Sequence, residues 1–103
     1  MINNFLKYIK KELINNTLII KEIQEKNGRI INNESSGIIY DIIKNDNNFS
    51  IYIKTINEYN ITEKNKLSDI GIIDIILLVQ TNEIQLVKND KHDNQIYYYA
   101  KRA

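Results

Sequence analysis

Cysteine, proline and tryptophan are absent from this chain of 103 residues, histidine occurs once and glycine three times. Without cysteine there are no disulfides, no thiolate nucleophile and no cysteine-ligated zinc. The three glycines, Gly28, Gly37 and Gly71, are too far apart for a phosphate loop or a dinucleotide fingerprint. His92 stands alone in a charged turn between Lys91 and Asp93, so a nucleophile–base–orienter set has no second histidine to draw on. Asp90, His92 and Asp93 lack the spacing of an ordered metal loop. No cofactor or metal is expected.

Ile, Asn and Lys fill about half of the chain. All three have AT-rich codons, so the skew points to an AT-rich genome. It also devalues clusters such as Asn15-Asn16 and Asn32-Asn33 as sites. The four Asn-x-Ser/Thr triplets, at Asn15, Asn33, Asn48 and Asn60, are expected by chance at this asparagine content. The first sixteen residues lack a continuous apolar core and a small-residue cleavage site, and so do not read as a signal peptide. A cytoplasmic location is the expectation. The length fits one domain, residues 1–103, large enough to bury a core without staples.

Fourteen Lys and Arg against thirteen Asp and Glu leave a net charge of +1, which argues against a strong polyanion binder. The distribution is uneven. Lys7, Lys10, Lys11, Lys21, Lys26 and Arg29 outnumber the acids of the first third, while the middle is acidic, with Glu34, Asp41, Asp46, Glu58 and Glu63 against Lys44 and Lys54.

The most apolar run is residues 67–80, LSDIGIIDIILLVQ. As a helix it is apolar nearly all round and largely buried. As a strand it is covered on both faces. Ser68 followed by Asp69 makes a fair helix start, and the helix is preferred. The run is too short, and too interrupted by acids, to span a bilayer.

Ile2, Phe5, Leu6, Ile9 and Leu13 recur at helical spacing, predicting a helix over residues 2–15 with Lys7, Lys10 and Lys11 outside. Asn27-Gly28 predicts a hairpin between strands 18–25 and 29–33, because both residues tolerate positive φ. The rival is one long helix stopped at Gly28. Residues 33–37, NESSG, read as a loop. Residues 38–44 and the alternating run from Phe49 to Thr55 form a second hairpin turned by residues 46–48. Residues 57–66 read as a polar link. A last hairpin joins alternating residues from Ile84 to a strand over 95–102 across the charged turn 89–94. The sum is an α+β domain: an antiparallel sheet of hairpins against the N-terminal helix and a second helix near 67–80.

Asp41 and Asp74 lie inside apolar runs, where burial raises a carboxyl pKa and permits acid–base work, but carboxylates are seldom buried unpaired. The expectation is no enzyme. The leading reading is a small protein-binding module, an inhibitor of the kind phages and mobile elements use against host defences or toxins, which occludes a partner's surface. Its contact residues are expected among Tyr97, Tyr99, Lys101 and Arg102 of the last strand and Lys7, Lys10 and Lys11 of the first helix. A plain homo-oligomer joined through the edge of the Tyr97–Tyr99 strand stands beside it. The alternative is a nucleic-acid binder using the basic helix or the last hairpin. Against that alternative, a helix-turn-helix reader needs two adjacent helices before such a hairpin, and only one candidate is present.

Overall fold

A computed structural model describes residues 2–103, with side chains from Asn4 onward. The elements run α1 (Ile2–Leu13), β1 (Thr17–Lys26), β2 (Arg29–Asn45), β3 (Asn48–Ile56), β4 (Thr62–Gly71), α2 (Ile72–Thr81), β5 (Glu83–Asn89) and β6 (Gln95–Arg102). All six strands join one antiparallel sheet in the order β4-β3-β2-β1-β6-β5. This is the expected α+β architecture, with both helices present.

Helix α1 forms on its apolar stripe. Ile9 and Leu13 are buried and Phe5 and Leu6 half-buried; the side chain of Ile2, counted in the same stripe, lies outside the described residues. The helix ends at Leu13, two residues short of the expected boundary. Asn15 takes a left-handed φ of 71°, and the Asn16 amide donates to the Glu12 carbonyl at 2.9 Å and the Leu13 carbonyl at 3.1 Å. The asparagine pair is thus a helix stop.

Asn27-Gly28 turns β1 into β2 with φ of 52° and 74°, as the hairpin reading requires. Four expectations need correction. First, NESSG is not a loop. Ser35, Ser36 and Gly37 pair with Ile20, Ile19 and Leu18, so β2 is one strand of seventeen residues, shared between β1 and β3 and bent by a bulge between Ile39 and Asp41. Second, residues 62–66 belong to strand β4, which pairs with β3 along its length. Third, residues 67–71 are the end of that strand. Leu67 and Ile70 both reach the core because Ser68 and Asp69 form a bulge, with Asp69 at a left-handed φ of 56°. The helix begins only at Ile72, after Gly71 as its N-cap, and Ser68 caps nothing. Of α2 only Ile75 and Leu78 are fully buried; Ile72 and Ile73 are 51% and 72% exposed, so this helix is not buried all round. Fourth, β6 is not an edge. It pairs with β1 on one side and β5 on the other, and the sheet edges are β4 and β5.

The core lies on one side of the sheet. Leu18, Ile20, Ile39, Ile42, Phe49, Ile51, Ile53, Leu67, Ile70, Ile84 and Ala100 point from the strands toward Ile9, Leu13, Ile75 and Leu78 of the two helices. Antiparallel partners share a face, so the register places the residues that alternate with these on the opposite, helix-free face. None of the buried apolar residues falls there.

The β5–β6 turn is held by Asp90, whose Oδ1 accepts the backbone N–H groups of His92 at 2.8 Å and Asn94 at 2.9 Å. These donors favour the carboxylate and lower its pKa below the usual 3.8. A depressed folded pKa gives stability that is present above the unfolded value and lost as pH falls through the folded one. Asp90→Ala should therefore melt at a lower temperature than wild type at neutral pH, and the gap should narrow as pH drops below about 4. Thermal melts of both proteins across that window check the sign.

Candidate binding face of the sheet

The helix-free face has two halves with different chemistry. On the β1–β6–β5 half, successive cross-strand rows are Ile23–Tyr97–Val87, Lys21–Tyr99–Gln85 and Ile19–Lys101–Glu83. The first row is apolar and open to solvent, with Ile23 42%, Tyr97 48% and Val87 57% exposed. A shallow cleft of about 540 Å³ runs along it, bounded by Lys21, Gln85 and Tyr99. The tyrosine hydroxyls are already directed. Tyr97 donates to Gln95 Oε1 at 2.8 Å and Tyr99 donates to Glu83 Oε2. The bond to Glu83, with some burial and the charge of that carboxylate, raises the Tyr99 pKa and keeps the phenol protonated. The row is thus neutral and apolar, with hydrogen-bonding groups at its margins.

Period-2 alternation sends Tyr97, Tyr99 and Lys101 to this face and Tyr98 and Arg102 to the other. Tyr98 packs half-buried against the core, and burial, then the charge of Glu22, raises its pKa. Lys88, 5.6 Å from its ring, donates to the Ser68 carbonyl; burial lowers the lysine's pKa and Asp69 partly offsets this.

Arg102 is engaged inside the fold. Its guanidinium donates to Asn82 Oδ1 at 2.8 Å and to the Glu12 and Val79 carbonyls, each at 3.0 Å. It thereby ties the last strand to the C-terminal ends of both helices, where cations are favoured. Lys10 lies 3.5 Å from Asp41, while Lys7 and Lys11 are exposed on α1. These lysines are on the helical side of the sheet, so the structure separates them from Tyr97, Tyr99 and Lys101.

The other half of the face, on β2–β3–β4, was not anticipated. Register places Lys54 opposite Lys64 and Tyr52 opposite Lys66. Tyr40, at the β2 bulge, stands 6.2 Å from Tyr52 between ring centroids, and the ammonium groups of Lys54 and Lys64 each lie 5.7 Å from the Tyr40 ring. Beside them Thr17, Ile38, Ile56 and Thr62 line a second shallow cleft, of about 650 Å³. No sequence motif marks this cluster, because its lysines come from segments read as an acidic middle and a polar link.

Asp41 is partly exposed beside Lys10 and accepts the Ile42 N–H at 2.8 Å, and Asp74 sits in the first turn of α2. Among the described residues no three His, Cys, Asp or Glu side chains gather in a way that would hold a metal ion. No helix among them is long and apolar enough to cross a membrane. Compared with known proteins, the chain matches no family model, no curated protein and no solved structure.

Proposed function

We propose that this protein is a small non-enzymatic binding module that covers a surface of a protein partner with the helix-free face of its sheet. The observation that carries the reading is the exposed apolar row Ile23–Tyr97–Val87, presented on three paired strands with polar groups around it. Apolar side chains aligned on a rigid surface and rimmed by hydrogen-bonding groups are the usual anatomy of a contact patch, and tyrosine is enriched in such patches. Occlusion requires no reacting groups, which fits a mode of action like that of a phage or mobile-element inhibitor. The alternative, nucleic-acid binding through the α1 lysines or the last hairpin, has weaker support there: Lys10 is paired with Asp41 and Arg102 is engaged by three acceptors within the fold.

The experiment is capture of the partner from a lysate of an AT-rich bacterial host, followed by affinity measurement with variants. Ile23→Lys and Tyr97→Lys each place a cation in the apolar row without touching the core. Each should weaken binding by about thirtyfold or more, the scale of a contact hot spot. Lys7→Ala and Lys11→Ala should leave affinity unchanged. Full affinity in the row variants, with circular dichroism showing them folded, would overturn this reading.

A further inference from the structure

We propose that Lys54, Lys64 and Lys66, gathered with Tyr40 and Tyr52 on the β2–β3–β4 half of the helix-free face, bind the backbone of a single-stranded nucleic acid. Two like charges directly opposite on neighbouring strands are unfavourable. Lys54 and Lys64 stand in that relation, and the face of the Tyr40 ring lies 5.7 Å from each ammonium. Among the described residues the one ion pair within 4 Å is Lys10–Asp41, so neither ammonium has a carboxylate within that distance. A phosphate lying between the two ammonium groups converts their repulsion into attraction.

Lys66 follows Lys64 two residues along β4, a displacement of about 7 Å on the same face. The cluster is therefore a short row of cations and not a point, which suits successive phosphates of one extended strand. Protection of a sheet edge explains part of the pattern, since lysines blunt the edge strand β4. It does not explain Lys54, which lies on the interior strand β3.

The aromatic groups decide the class of polyanion. Tyr40 and Tyr52 are half-buried in the sheet surface, and Ile38, Ile56, Thr17 and Thr62 line the cleft beside them. Tyrosines on an open sheet stack on unpaired bases, and the neighbouring lysines follow the backbone. An acidic peptide gains little from such rings. A duplex offers these rings nothing to stack on, because its bases are paired and stacked on one another, whereas unpaired bases are open to them. A net charge of +1 is compatible with a site this local. The site lies apart from the Ile23–Tyr97–Val87 row and does not depend on the protein-partner reading.

The test is fluorescence anisotropy of labelled oligo-dT and oligo-U of about twelve nucleotides, titrated with the full chain at several salt concentrations. Binding is expected at low salt, with the logarithm of affinity falling against the logarithm of salt at a slope of about −2, for three phosphate contacts on a single strand. Lys54→Ala, Lys64→Ala and Lys66→Ala should each weaken binding and reduce that slope by about 0.7. Tyr52→Ala should weaken it about tenfold with the slope unchanged, and Tyr52→Phe should restore it. Lys7→Ala and Lys11→Ala serve as controls that keep wild-type affinity. The proposal is overturned by absence of salt-sensitive binding, by equal losses in the α1 controls, or by poly-glutamate displacing the oligonucleotide as well as unlabelled oligonucleotide does.

Discussion

Phe49→Ala is expected to destabilise the protein by about 3–5 kcal/mol, the range for removing a buried phenylalanine ring. Phe49 is 1% exposed on the interior strand β3, opposite Ile70 of β4, and its ring meets Phe5 of α1 edge-on at 5.8 Å between centroids. The ring is the point at which the first helix, the bulged end of β4 and the middle of the sheet come together. Its loss leaves a cavity that α1 cannot close without abandoning Ile9 and Leu13. Against a total stability of about 5–15 kcal/mol for a domain of this kind, that is a large share of the whole. Urea denaturation monitored by circular dichroism measures the change. A loss under about 1 kcal/mol would mean that α1 does not dock where the structure places it.

Gly37→Ala is the second large effect, and its cause is space. A Cβ at Gly37 would stand 2.5 Å from the carbonyl oxygen of Lys54 and 2.8 Å from its carbonyl carbon. Those atoms belong to the backbone of β3 and cannot rotate away. The methyl group must push β3 from β2 where β2 passes from its pairing with β1 to its pairing with β3. A cost of about 3 kcal/mol is expected, at the upper end for overpacking. Gly28 provides the contrast. It has a left-handed φ of 74° and nothing within 4 Å of a Cβ position, so Gly28→Asn should be tolerated far better. If the denaturant midpoints of these two variants were equal, the close approach of β2 and β3 would be wrong. Gly37→Ala also shifts the backbone that carries Lys54, so its effect on oligonucleotide binding reports on fold and site together.

The elements legible in the sequence are those in which a local signal and a tertiary role coincide. Phe5, Leu6, Ile9 and Leu13 mark α1 because the stripe that makes a helix amphipathic is also the stripe it buries. Asn27-Gly28 marks a hairpin because the turn itself demands left-handed φ. Alternation along 95–102 places Tyr97, Tyr99 and Lys101 on one face and Ile96, Tyr98 and Ala100 on the other. Where the signals part, the reading fails. Residues 62–66 carry no apolar residue because they form an edge strand beyond the core, so their pairing to β3 leaves no hydrophobic pattern. Ser35, Ser36 and Gly37 look like a loop by composition, but strand β1 pairs with them regardless. At 67–71 the bulge at Ser68 and Asp69 sends Leu67 and Ile70 to the same side, a spacing that imitates a helix.

The candidate binding face was legible only in part, for a topological reason. That β6 returns to lie beside β1 is a contact between residues 18–24 and 96–102, and nothing local announces it. Tyr97 therefore read as part of an exposed edge, whereas the structure makes it the centre of a row flanked by Ile23 and Val87. Lys54, Lys64 and Lys66 are likewise scattered along the chain until strand register brings them to one surface. Charge summed along the sequence averages them away. Charge summed over one face of the sheet does not.

The most direct test of the helix-free face as the contact surface is hydroxyl-radical footprinting of the side chains, free and with the captured protein partner bound. Tyr97, Ile23 and Val87 should lose reactivity in the complex, while exposed Tyr8 on α1 and Tyr59 in the β3–β4 turn keep theirs. Protection of Tyr8 or of Ile72 and Ile73 on α2, with Tyr97 as reactive as in the free chain, would place the contact on the helical side and contradict the account.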